Sequence, residues 1–166
     1  MRNLIALPVI LLAVILQTAI VSRIYLLSGI ADLPLVMLAA WALQKEVDTA
    51  WHWAVATGLL VGFVSALPMI APILGYFAVV VLAQILQGRV WQAPLLAMFS
   101  VTFFGSVIAS IFTFSILRLS DVTLPVGDVL GMLTLPSVLL NMLLAIPVYA
   151  VMRDLARWVY PTLEVE

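Results

Sequence analysis

Few residues in this chain could do chemistry. Its 166 residues include one histidine, His52, no cysteine, seven Lys or Arg and eight Asp or Glu. Catalysis needs titratable or nucleophilic groups that converge on one point. Nothing here forms a phosphate loop, a zinc pattern or a serine and histidine pair at useful spacing. His52 lies between Trp51 and Trp53, where anchoring at lipid-headgroup level is favoured over catalysis. Asp32 stands at the entry to an apolar run and reads equally as an outer-leaflet substrate or partner contact and as a carboxylate stabilised by a helix dipole. The sequence therefore predicts a non-enzyme without cofactor or metal. Lack of cysteine removes disulfides and thiolate ligands and leaves the redox compartment unreadable.

Small residues and the remaining polar side chains fall in patterns that suit helix contact. Ala54, Gly58, Gly62 and Ala66 repeat every four residues, so they share one helical face and let another backbone approach closely. Such faces pack neighbours of the same bundle more often than a foreign partner. Thr102, Ser106, Ser110 and Thr113 form a second stripe whose hydroxyls can bond back to their own helix or across to another. Asn141, between Pro136 and Pro147, is an amide deep in an apolar helix, and hydrocarbon offers it no partner, so it should find one inside the protein.

The elements that carry these residues follow from composition. Apolar residues make up 66% of the chain and charged ones 9%, far from the soluble average, so the bilayer is expected as solvent. The formal net charge of −1, with no basic block, excludes a nucleic-acid footprint. Thr49 to Gly88 contains no Asp, Glu, Lys or Arg, and as one helix would reach roughly 60 Å, about twice a bilayer core. It must fold back, with the hinge expected at Leu67 to Pro72, where two prolines interrupt hydrogen bonding. Further spans are expected at Leu4 to Val21, Ala93 to Leu117 and Val129 to Met152, and a short one at Leu33 to Leu43, which reaches across only if it starts nearer Tyr25 and carries Asp32 near the outer interface. The first reads as a retained span, since it lacks a small-residue cleavage site.

The expected fold is a single-domain, all-α membrane protein, a compact bundle of about six transmembrane helices. Arg2, Lys45, Arg89, Arg153 and Arg157 fall on one side, against Arg23 and Arg118. The positive-inside rule then places the C-terminus in the cytoplasm, whether the crossings number five or six. All five tryptophans lie at span ends or loops on that side, as an interfacial belt would.

Three stretches in order resemble the MreD family of bacterial rod-shape proteins. They are Ala31-Asp32-Leu33-Pro34-Leu35-Val36, the glycine-rich Gly58 to Gly75 ending in Pro72-Ile73-Leu74-Gly75, and Leu135 to Arg153 with Leu-Pro-Ser, Asn141, Pro147-Val148-Tyr149 and Met152-Arg153. Leu67-Pro68 stands where many relatives carry an acidic residue, so no role for that carboxylate transfers. The resemblance implies an inner-membrane subunit of the cell-elongation machinery that binds MreC and, with it, the RodA and penicillin-binding protein 2 peptidoglycan synthase. It also implies a fold like that of the substrate-binding S components of energy-coupling-factor vitamin transporters, which are the alternative reading. An S component needs a polar pocket and a small-residue repeat on its first helix, and Ala6, Ala13 and Ala19 do not keep four-residue spacing.

Overall fold

The computed structural model describes residues 5–45, 47–87, 93–122 and 125–160. They form six main helices: α1 (Ala6–Ala19), α2 (Leu33–Ala42), α3 (Ala50–Val64), α4 (Ile70–Gln87), α5 (Pro94–Leu119) and α6 (Leu135–Val159). A helical turn, Val126–Asp128, and a π-helical stretch, Val129–Thr134, lead without a break into α6. Four helical segments are long and apolar enough to cross a membrane: Ala6–Arg23, Ile70–Gln87, Pro94–Leu119 and Val126–Val159. Leucines, isoleucines and phenylalanines cover much of the exterior, with Leu12, Ile15, Phe63, Leu96, Phe104 and Leu143 among the exposed ones.

The short α2 is the hub. Its 10 residues span about 15 Å, half a bilayer core, and every residue from Pro34 to Ala42 is buried. It touches α1, α3, α4, α5 and α6. A helix enclosed in this way can begin and end inside the bundle, because its neighbours supply the thickness. Asp32 caps it, accepting the Leu35 N–H at 3.0 Å, and Pro34 occupies the first turn, where no N–H is missed.

A two-stranded hairpin, β1 (Tyr25–Leu26) and β2 (Gly29–Ile30), joins α1 to α2 and leans on the start of α6. Pro136 explains the docking. It has no N–H to give the Met132 carbonyl one turn back, and that oxygen instead accepts the Ser28 N–H at 3.1 Å. Gly29 permits the approach, since a Cβ there would stand 2.6 Å from the Ser137 nitrogen and 2.8 Å from the Leu133 oxygen.

Several boundaries differ from the sequence expectations. The fold-back lies at 65–69, and Pro72 falls in the first turn of α4, where proline is tolerated. Because α3 ends at Val64, Ala66 is exposed outside the helix and does not extend the small-residue face. The last helix continues to Val159, so Arg153 and Arg157 are helical rather than part of a tail. Nor do the tryptophans form one belt. Trp41 and Trp53 are 1% and 2% exposed and stack in the core with centroids 4.4 Å apart. Trp51 and Trp158 are exposed, and Trp91 lies outside the described residues.

Candidate functional site

The polar residues singled out in the sequence converge around the first turn of α2. Asn141 on α6 uses both ends of its amide: Oδ1 accepts the Asp32 N–H at 2.6 Å, and Nδ2 donates to Ser106 Oγ on α5 at 2.8 Å. The Asp32 carboxylate receives the Tyr76 hydroxyl of α4, 3.1 Å from each oxygen. Gln17 of α1 brackets the same turn, donating to the Ala31 carbonyl and accepting the Leu33 N–H, each at 2.8 Å. Ser137 of α6 accepts the Ile30 N–H at 3.0 Å. One network thus ties α1, α2, α4, α5 and α6 through side chains.

Asp32 lies toward the hairpin end of the bundle but inward of the ends of α4 and α5. Tyr76 lies six residues into α4, about 9 Å from its start, and Ser106 lies 13 residues before the end of α5, roughly 20 Å in. The carboxylate is therefore recessed, made possible by the shortness of α2. A recessed carboxylate in an apolar bundle is costly unless it is hydrogen-bonded and marks a candidate functional position. Two cavities with partly shared walls reach it. One, of about 370 Å³, is bordered by Ser106, Ser110, Thr113, Ser137 and Asn141; the other, of about 400 Å³, by Gln17, Thr18, Ser65, Tyr76 and again Thr113.

The hydroxyl stripe of α5 divides its tasks. Ser106 joins the network, and Ser110 and Thr113 line cavity wall. Thr102 Oγ1 is buried with no hydrogen-bond partner among the described residues. The small-residue face of α3 packs internally. A Cβ on Gly58 would stand 2.7 Å from Ile73 Cα of α4, and one on Gly62 2.9 Å from Met69 Cγ, the last residue of the fold-back. Ala54 is fully buried. A second close seam, Gly75 against Ala109 and Gly105 against Val79, binds α4 to α5.

Gln17, Tyr76 and Ser137 were not singled out by sequence. A signal was present for two of them: each places a strong polar group within an otherwise apolar span, where hydrocarbon leaves it unpaired. His52 is exposed, its ring 3.4 Å from that of Trp51. No group of three or more His, Cys, Asp or Glu that could hold a metal occurs among the described residues.

On another face, α1 and α6 flank a groove of about 290 Å³ whose floor is Leu33 and Met37 of α2. Its walls, among them Leu12 and Leu16 on one side and Leu144, Val148 and Val151 on the other, are wholly apolar. Compared with family models, with curated proteins and with solved structures, the chain matches none.

Proposed function

We propose that this chain is a non-enzymatic, multi-pass scaffold of the bacterial inner membrane, similar to MreD, that holds a single-span partner of the MreC type. The observation that carries the reading is the apolar groove between α1 and α6. The glycine face of α3 is spent on α4, so the groove is the better seat for a foreign helix than α3 or α5. One of its walls, Leu144 to Met152, falls in the third stretch that resembles the MreD family. Without water to squeeze out, helices in lipid associate through close packing, and an open groove provides that. Through the partner, the chain joins the RodA and penicillin-binding protein 2 complex in rod-shaped growth.

Surface and charge support the location. The exterior is apolar enough for lipid. Lys45, Arg153 and Arg157 stand at one end of the bundle and Arg23 and Arg118 at the other, which with Arg2 and Arg89 favours a cytoplasmic C-terminus. Six crossings require α2 to complete its passage through the hairpin and the 24–31 segment. Reporter fusions after Tyr160 and within the hairpin read this directly: a periplasmic signal from the first overturns the orientation.

The test of function is co-purification from the native host. The parent chain should bring down an MreC-like protein, and Leu12→Trp and Val151→Trp, at exposed groove positions, should lose it while staying folded. A second reading has its own observation: the two cavities at Asp32 offer a carboxylate and hydroxyls to a small ligand, as an S component would. A parent that captures no single-span protein but retains a vitamin or an ATPase module replaces the scaffold reading with this one.

A further inference from the structure

A cavity of about 660 Å³ opens at the end of the bundle opposite Asp32, between the ends of α2 and α4, the start of α5 and the last turns of α6. Three cations, Lys45, Arg153 and Arg157, and no carboxylate line it among the described residues. Arg153 and Arg157 are one turn apart and share a helical face. Arg153 Nε bonds Asp154 Oδ1 at 3.3 Å, with side chains 43% and 66% exposed; a pair this exposed contributes little. The dipole accounts for Arg157 in the last turn of α6; it does not account for Arg153, one turn further back and lining the same cavity.

The floor is fixed, because Gln87 Nε2 donates to the Gln44 carbonyl at 2.6 Å and Gln44 Nε2 to Ala40 at 2.9 Å. The sides are apolar, and Leu95 and Ile146 carry that surface out onto the exterior of α5 and α6. Cationic donors above an apolar wall match an anionic headgroup above an acyl chain. Arginine forks suit phosphate oxygens, and long basic side chains reach headgroup level from a buried stem.

We infer that this cavity binds the phosphate headgroup of an anionic phospholipid, whose acyl chain lies along the apolar faces of α5 and α6. The inference rests on the bilayer reading but not on the partner: the groove for a partner helix lies on another face. A choline headgroup brings its own cation toward the arginines, so zwitterionic lipid is disfavoured.

The experiment is a thermal-shift titration of the delipidated full chain in neutral detergent. Phosphatidylglycerol should raise the melting temperature, whereas phosphatidylcholine and inorganic phosphate should not. In the double variant Arg153→Gln, Arg157→Gln, the apparent affinity for phosphatidylglycerol should fall roughly thirty-fold, while Arg23→Gln, Arg118→Gln at the other end should respond as the parent does. An equal response to phosphatidylcholine, or an unchanged double variant, overturns the proposal; so does a full shift from phosphate alone, which would make this an anion site without a lipid. If the double variant cannot be purified, native mass spectrometry of the parent in mixed lipid decides: retention of phosphatidylglycerol over phosphatidylcholine supports the site, and equal retention rejects it. Failure to capture an MreC-like protein would leave these results standing.

Discussion

The two ends of the bundle use polarity in opposite ways. Around Asp32, an acid, a phenol, two amides and two hydroxyls are bonded to one another or to the backbone of the hairpin and α2. Around Arg153, three cations and, among the described residues, no carboxylate line a cavity. In a low-dielectric bundle, a polar group paired inside fixes which helices meet, because every alternative packing leaves it unpaired. An exposed cation such as Arg153, whose contact with Asp154 is weak, fixes little inside the fold and keeps its capacity to bind. Removing polar groups at the first end should therefore cost stability, and at the second, binding.

The largest effect is expected from backbone crowding at the Asp32 end. Gly29→Ala puts a Cβ 2.6 Å from the Ser137 nitrogen of α6 and 2.8 Å from the Leu133 oxygen of the π-helical stretch before it. Neither can swing away, so the loss should reach or pass about 3 kcal/mol, the upper range for overpacking. Gly58→Leu, where Ile73 Cα is 2.7 Å from a built Cβ, provides the same clash away from both ends and should fall in that range. Gly62→Leu should be milder, because the first atom met belongs to the flexible Met69 side chain. Melting in detergent ranks the three; a Gly29→Ala that melts like the parent means the hairpin is not docked on α6.

Asp32→Ala comes next. It removes the cap of α2 and leaves the buried Tyr76 hydroxyl without its acceptor, for a combined loss of about 2–4 kcal/mol. Asn141→Ala strands the Asp32 N–H and the Ser106 hydroxyl and should cost roughly 1–3 kcal/mol. The double variant should cost less than the sum, since the two side chains serve one network. Additive losses would show that the contacts act separately and would break the contrast between the ends.

Much of the helical layout was legible in the sequence, because long apolar runs and their charged ends report span positions directly. Asn141 was legible for the same reason: an amide in hydrocarbon needs a partner. How far the acid is drawn inside the bundle was not legible, for an equally physical reason. Asp32 reads as an interface residue if α2 must cross the membrane, and only the tertiary enclosure of a ten-residue helix lets its cap lie deep. Trp41 and Trp53 share that history. A tryptophan near a span end signals a belt in the sequence, but whether it turns outward or stacks in the core depends on neighbours such as Tyr160, 6.3 Å from Trp41. The hairpin left no alternating pattern to find: its strands have two residues each, and a carbonyl freed by Pro136, more than 100 residues away, helps hold it in place.

The smallest stability effect is expected at the other end, and it tests the contrast most sharply. Arg153→Gln, Arg157→Gln removes two charges from the rim while keeping two of the three stem methylenes and a polar, hydrogen-bonding head, so most apolar packing by the stems is retained. The Arg153 contact with Asp154 is exposed, and such pairs contribute between nothing and about 1 kcal/mol. Removing Arg157 from the last turn adds a loss of only a few tenths of a kcal/mol in dipole interaction at an exposed site. In lipid-free detergent the double variant should therefore melt close to the parent, well above Asn141→Ala. A loss as large as that of Asn141→Ala would mean that the cations are bonded into the fold as firmly as the Asp32 network, and that the two ends do not differ in kind.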